Sequence, residues 1–361
     1  MAAVLIAGVI AGVALINRPK SGPEAGGGPS TQVVPPASSA PASPPATTDA
    51  AGLPISAPLT DSQLVVPAKI DDNWDLWLAD TETATPVARL TTDPAVDAGP
   101  VISPDRRTVI YTQNLDSEGK RTLLVKGAAS PGDGRTLFKK MPSQCAGTVF
   151  RPAWNPNVSP EAGGEIAVPC MNANGKYGLY RFTLGGKLIA KVPVPTGTAR
   201  VDDPAYSSDG STLVYWAAPE SALDGGQLYT VELNGGKPKV LVESTQAGED
   251  ADPVWSPDGS QIAFRRRVAD GTSGGNFDIF TVTTDGRAKL ARLTDDPADE
   301  QNPIFSPSGS QIAYKSTAPD PSHPDNAATR VWIMDNNGDN KKALWSEGPD
   351  PEQNAAAWGL R

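Results

Sequence analysis

The chain has 361 residues, enough to bury a sizeable core, and carries 35 glycines and 36 prolines. That load of turn formers suits many short strands and excludes an architecture of long helices. A net charge of -10 excludes a general nucleic-acid or anionic-membrane surface, because neutralising phosphates requires a basic footprint. The basic clusters Arg265-Arg266-Arg267, Lys139-Lys140 and Lys341-Lys342 are short and scattered, and they read as solvated edges or loops.

Ala2 to Ile16 form one apolar run, followed by Asn17-Arg18-Pro19-Lys20. As a helix the run rises about 22 Å, short of a hydrocarbon core of about 30 Å. It lacks the positive flank that opens a signal peptide, and the basic pair after it argues for the opposite orientation. Its density of Ala, Val, Ile and Leu nonetheless reads as a signal-anchor or signal-like segment over residues 1–17. Residues 18–60 are Pro, Ala, Ser, Thr and Gly with few large side chains. Such a stretch does not repay its ordering entropy and is expected to be a disordered linker. Residues 2–16 then act as a membrane tether for a folded domain over 61–361.

From Gln63 onward the chain repeats itself. Asp252-Pro253-Val254-Trp255-Ser256-Pro257-Asp258-Gly259 returns at Asn302-Pro303-Ile304-Phe305 and Asp203-Pro204-Ala205-Tyr206, with weaker copies at Pro100 and Pro152. A last fragment runs from Asn354 to Trp358, with Ala355 at the proline position. The anchors recur about every fifty residues, the period of a propeller blade of four strands. Gln63–Pro67, Asp75–Asp80 and Val87–Leu90 match second, third and fourth strands with no first strand before them. The missing strand is Asn354–Trp358. The sequence therefore predicts an all-β, six-bladed β-propeller whose first blade is closed by strands from both ends.

In the fifth unit the strands fall at Val254-Trp255, Gln261–Phe264, Asp278–Val282 and Leu290–Leu293, with Ser256-Pro257-Asp258-Gly259 as a tight turn. Insertions are expected between second and third strands at Arg265–Asn276, Lys315–Thr329 and Pro219–Gln227. Trp154, Tyr206, Trp255, Phe305 and Trp358 recur on first strands and are expected to pack between blades. Cys145 precedes the third unit's inner strand and Cys170 closes the next one. In an antiparallel hairpin these two ends are neighbours, so a disulfide is expected, consistent with an oxidising compartment; two buried thiols are the alternative. One histidine and no Cys-x-x-Cys exclude the usual zinc sites.

The phrase around Asp252–Gly259, the Asp278-Ile279-Phe280 strand and the Arg292-Leu293-Thr294 ending resemble the WD40-like (PD40) repeat of the TolB propeller family. The resemblance covers residues 63 to 360. It departs from the pattern where Arg106 replaces the turn glycine and where Asn155-Pro156-Asn157 replaces Ser-Pro-Asp, and a linker stands where TolB has an amino-terminal α/β domain. It implies a non-enzymatic bacterial envelope protein whose channel end receives a protein partner.

Gly271-Thr272-Ser273-Gly274-Gly275 matches Gly-x-Ser-x-Gly, but it falls between two strands of one blade and the sole histidine, His323, is in the next unit. It reads as a loop. Asp97, Asp202, Asp203, Asp250, Asp252, Asp299, Glu300 and Glu352 all precede inner strands, where propeller geometry gathers loops around one channel mouth. They form the candidate binding site, an acidic ring for an envelope protein or basic peptide. Ca2+ held by several carboxylates is a lesser alternative, and some of the acids are expected only to cap turns or pair with Lys and Arg. No cofactor, resident metal or nucleic-acid partner is expected. A monomeric, extracytoplasmic binding or scaffold propeller, membrane-anchored or secreted, is the reading; a small-molecule or carbohydrate sensor comes second, and a metal-dependent hydrolase or lyase third.

Overall fold

The computed structural model describes residues 47–49, 52–70, 73–116, 119–221, 225–243, 250–268, 276–319, 330–344 and 356–359. Residues 1–46, His323, the 271–275 motif and Glu352 lie outside them. Six antiparallel sheets follow one another in chain order, each built from consecutive strands. Blade 2 is typical: Asp97–Ile102, Thr108–Asn114, Arg121–Gly127 and Arg135–Thr136. The expected six-bladed propeller is the observed fold.

The ring closes in blade 1. Gln63–Ile70, Asn73–Asp80 and Thr85–Arg89 form three strands, and the fourth, innermost piece comes from the far end of the chain. Val65 and Ala357 exchange both backbone hydrogen bonds at 2.8 Å. Val65 occupies the place that Ala263 holds in blade 5, where its partner is Val254. Ala357 is thus the counterpart of Val254, and Ala356 takes the proline position. The repeat phrase places Ala355 there, a residue outside those described, and is one residue off, because side-chain similarity alone does not fix a gap that the backbone pairing does. Trp358, 1% exposed, seals the joint and donates its Nε1 to Asp61 O at 2.8 Å.

In blades 2, 4 and 5 the turn between first and second strand is held by a serine and an aspartate. Ser256 Oγ donates to Asp258 Oδ1 and accepts from Gln261 N, while Ser260 N donates to the same carboxylate. These donors hold the Asp258 carboxyl below its usual range, the Ser256 hydroxyl contributing most. In blade 2 the glycine of this turn is Arg106, in the left-handed region at φ 61°. Its guanidinium accounts for the departure. It pairs with Asp61 at 2.7 Å and donates to Thr60 O, clasping the incoming chain.

That incoming chain corrects the linker boundary at residue 60. Thr47–Thr48 and Pro54–Ile55 form a two-stranded hairpin, and residues 52–60 lie along blade 2 as a strap. Ser56 N and Leu59 N donate to Arg107 O and Arg106 O at 3.0 Å, and Leu53 and Leu59 are buried. The polar composition of 18–60 hid two leucines, and these supply the burial that offsets ordering the strap.

Two further expectations change. Gln261–Val268 and Asn276–Thr283 pair through Val268↔Asn276, so Arg265 to Val268 continue the strand and do not begin an insertion. The arginine triplet is likewise part of the sheet. Arg265 and Arg267 lie over the Phe277 ring, and the half-buried Arg266 pairs with the buried Asp250. Cys145 and Cys170 are joined by a disulfide.

Two predictions follow from these tethers. The disulfide closes a loop of sequence separation 25, so replacing both cysteines by serine should lower stability by about 3 kcal/mol in denaturant unfolding. Arg106→Ala should release the strap and speed protease cleavage within residues 47–60. Arg106→Gly should cleave similarly while losing less stability, because glycine relieves the left-handed backbone.

Candidate functional site

The inner strands share one irregularity. Pairing with the second strand skips between Ala98 and Val101, Asp202 and Ala205, Ala251 and Val254, and Gln301 and Ile304. Each gap holds a bulge of two residues, the second a proline that has no N–H for the ladder. The first is left-handed in every case: Gly99 at φ 54°, Asp203 at 49°, Asp252 at 54° and Asn302 at 51°. Gly, Asn and Asp tolerate that conformation best. The Gly-Pro, Asp-Pro and Asn-Pro pairs are therefore first a backbone signature. Sequence reasoning saw the acids and missed the bulge; the signal was that a neutral Gly or Asn serves the same position as Asp.

After the proline, one residue per blade lines the channel: Val101, Ala153, Ala205, Val254, Ile304 and Ala357. They enclose a cavity of about 100 Å3. Trp154, Tyr206, Trp255, Phe305 and Trp358 follow and are all buried between blades. Tyr206 donates its hydroxyl to Glu165 Oε1 at 2.8 Å, within a network that includes Arg181 and Asn155.

Seven of the eight predicted acids are among the described residues, and the structure separates them. Asp97, Asp250 and Glu300 begin the inner strands of blades 2, 5 and 6 and are buried at the seams between sheets, away from the mouth. Each stands opposite a second-strand residue: Gln113, Arg266 and Ser316. They are removed from the candidate ring on this geometry. The reason is the strand's pleat, since the position three before the proline faces the neighbouring sheet. Asp299 is structural: its Oδ1 accepts from Phe277 N at 3.0 Å, and its own N donates to Thr317 Oγ1 at 2.8 Å.

Asp202, Asp203 and Asp252 do come together, in company with cations. Arg151, the blade 3 residue at the same level, passes over Gly99 and sits in the field of Asp203, Asp252 and Asp202. Arg265 Nε lies 3.1 Å from Asp252 and Arg200 lies 3.3 Å from Asp202. Asn302 N donates to Asp252 Oδ2 at 3.0 Å, linking blades 5 and 6. Burial pushes the Asp203 carboxyl well above its usual range, and the charges of Asp202 and Asp252 push the same way against Arg151 and Arg265. Arg151 Nε is buried without a hydrogen-bond partner. The mouth is thus a mixed-charge cluster.

The TolB beta propeller domain family matches residues 133–360. The chain belongs to the TolB β-propeller family. TolB from Acinetobacter baumannii superposes with a TM-score of 0.61 at 19% identity, over 86% of this chain and 69% of that one. A chain of the nidogen/laminin complex superposes with a TM-score of 0.56 at 11% identity, over 82% of this chain and 97% of that one. At these identities the likeness is one of fold. The uncharacterized peptidase YuxL of Bacillus subtilis (strain 168) is 33% identical over 95 residues, which are 26% of this chain and 13% of that relative. The chain thus spans well under two thirds of that relative's length.

Among the described residues, no group of three or more His, Cys, Asp or Glu is placed to hold a metal ion. The mouth acids also fit Ca2+ poorly, because Arg151 already supplies a positive charge among them. No helix among the described residues is long and apolar enough to cross a membrane; residues 2–16 are outside them.

Charge reversal separates the two classes of acid. Asp250 takes two hydrogen bonds from Arg266, at 2.7 and 2.6 Å, with its side chain 1% exposed. Asp250→Lys should therefore destabilise the ring by about 3 kcal/mol or more, read as a fall in Tm. Asp203→Asn should leave Tm nearly unchanged, since asparagine accepts the left-handed backbone.

Proposed function

We propose that this TolB-family propeller is a non-enzymatic, extracytoplasmic binding or scaffold module that receives a protein, peptide or envelope ligand at the channel mouth. The observation that carries the reading is the cluster of Arg151, Asp202, Asp203 and Asp252 on rigid inner strands, with Arg151 Nε unpartnered. A ligand offering both a hydrogen-bond acceptor and a basic group fits it, where an acidic ring would have asked for a basic ligand alone. The disulfide supports an oxidising compartment, and the apolar run at 2–16 supports tethering there.

A small molecule or carbohydrate inside the channel has less support. The cavity of about 100 Å3 has room for a few waters, whereas ligand pockets run to about 300 Å3 and above. Enzymatic chemistry has no histidine to spare beyond His323, and the word peptidase belongs to a relative of which this chain matches 13%.

The test is affinity capture from solubilised envelope with the full chain, at about 50 and 500 mM salt. The expected result is a specific partner retained by the native protein and lost with Asp203→Asn/Asp252→Asn, at nearly unchanged Tm, and with Arg151→Gln. Equal capture by all three proteins would place the binding surface elsewhere.

A further inference from the structure

The three seams that carry an acid at the head of the inner strand differ in what faces it, and only Asp250 faces a cation. Asp250 has Arg266 across the ladder, and Asp97 accepts from Gln113 Nε2 at 2.9 Å. Glu300 accepts from the Ser316 hydroxyl at 2.9 Å through Oε1; its Oε2 is buried with no hydrogen-bond partner, as is Asp97 Oδ2. Beside it stands a second buried carboxyl, Asp278 on the third strand of blade 5, within hydrogen-bond reach. Asp278 pairs with Arg292 at 2.5 Å and accepts from Asn276 Nδ2 at 3.3 Å. One guanidinium therefore serves two buried carboxyls.

The other groups around the pair do not make up the deficit. Asp295 and Asp296 in the connecting loop add negative charge, that of Asp295 offset by Lys341 at 3.8 Å; Tyr314 on the second strand of blade 6 is neutral, and Thr294 offers a hydroxyl. Arg330 stands opposite Ser316 on the next strand, with an interaction of its own. Two carboxylates in contact in a buried space repel, and the arrangement closes when one carries a proton that it donates to the other.

We propose that the seam between blades 5 and 6 is a protonation-controlled joint, closed by one proton held between Asp278 and Glu300 and loosened when that proton passes to solvent. Burial, the largest cause in each, pushes the Glu300 carboxyl up to about 8 and that of Asp278 to about 6. The folded chain therefore holds more protons than the unfolded one from the ordinary carboxylate range up to about pH 8. Stability from this seam is full at low pH and falls as pH rises through that window. The seam borders a surface cavity of about 500 Å3 lined by Asp296, Ala298, Thr317, Trp332 and Lys341. Loosening it changes the shape of that cavity, which gives the ring a pH-dependent surface independent of the channel mouth.

Amide hydrogen exchange on the full chain, at about pH 5.5 and 8.5 and corrected for intrinsic exchange, reads the joint directly. Phe277 N donates to Asp299 Oδ1 across it, and Ile279 N to Thr294 Oγ1 on its blade 5 side; Leu241 N, donating to Leu228 O in blade 4, is the control. Protection at Phe277 and Ile279 should fall about tenfold or more at the higher pH while Leu241 holds, and Glu300→Gln should abolish the difference. A carboxyl 13C titration of the unsubstituted protein keeps the test independent of that variant: one glutamate should titrate well above the ordinary range. Equal protection at both pH values, or glutamates that all titrate normally, would overturn the proposal.

Discussion

Everything in this ring depends on two hydrogen bonds between chain segments almost three hundred residues apart. Val65 and Ala357 pair across blade 1, and without them six sheets would form an open row with an inner edge exposed at each end. Trp358 makes the closure more than a pair of backbone bonds. It is fully buried, packs in the cluster of Leu64, Val66 and Ile333, and fixes its indole N–H on Asp61. The C-terminal fragment thereby completes the core of one blade and the seam with another.

The inner strands solve a geometric problem in common. Six strands converge on a narrow axis, and in blades 2, 4, 5 and 6 a bulge lets the strand approach it with an aliphatic residue after the proline while the chain before it turns aside. The same bulge aims the residues before the proline at the mouth. Asp203 and Asp252 are thus selected twice, by φ and by charge, and only the second bears on a ligand. Arg151 belongs to blade 3, whose inner strand is split into Thr148–Val149 and Ala153–Trp154. The irregular blade supplies the cation that makes the mouth mixed in sign.

How much of this could be read beforehand follows from which residues are periodic. The blade count, the closure by both ends and the cysteine pair were legible because Pro-Val-Trp-Ser-Pro-Asp-Gly and its copies repeat and their strands alternate. The anchor at Ala356 was not, since the last copy has no proline to mark it. The mouth was only partly legible. All eight acids precede inner strands, but whether one faces the axis or a seam depends on a single residue of pleat, as Asp250 and Asp252 show. Their cationic partners come from other strands and, for Arg151, from another blade. The strap was missed because Leu53 and Leu59 are isolated apolar residues in a polar stretch, with partners some fifty residues ahead.

The strap also sets a load path. Tension on the chain ahead of residue 47 meets the backbone bonds of Ser56 and Leu59 to blade 2 before it reaches blade 1. Arg106 then holds Thr60 and Asp61 just where the chain crosses from one blade to the other. A pull is therefore shared between two blades, in shear along the strap, and the pair of bonds that closes the ring is shielded from it.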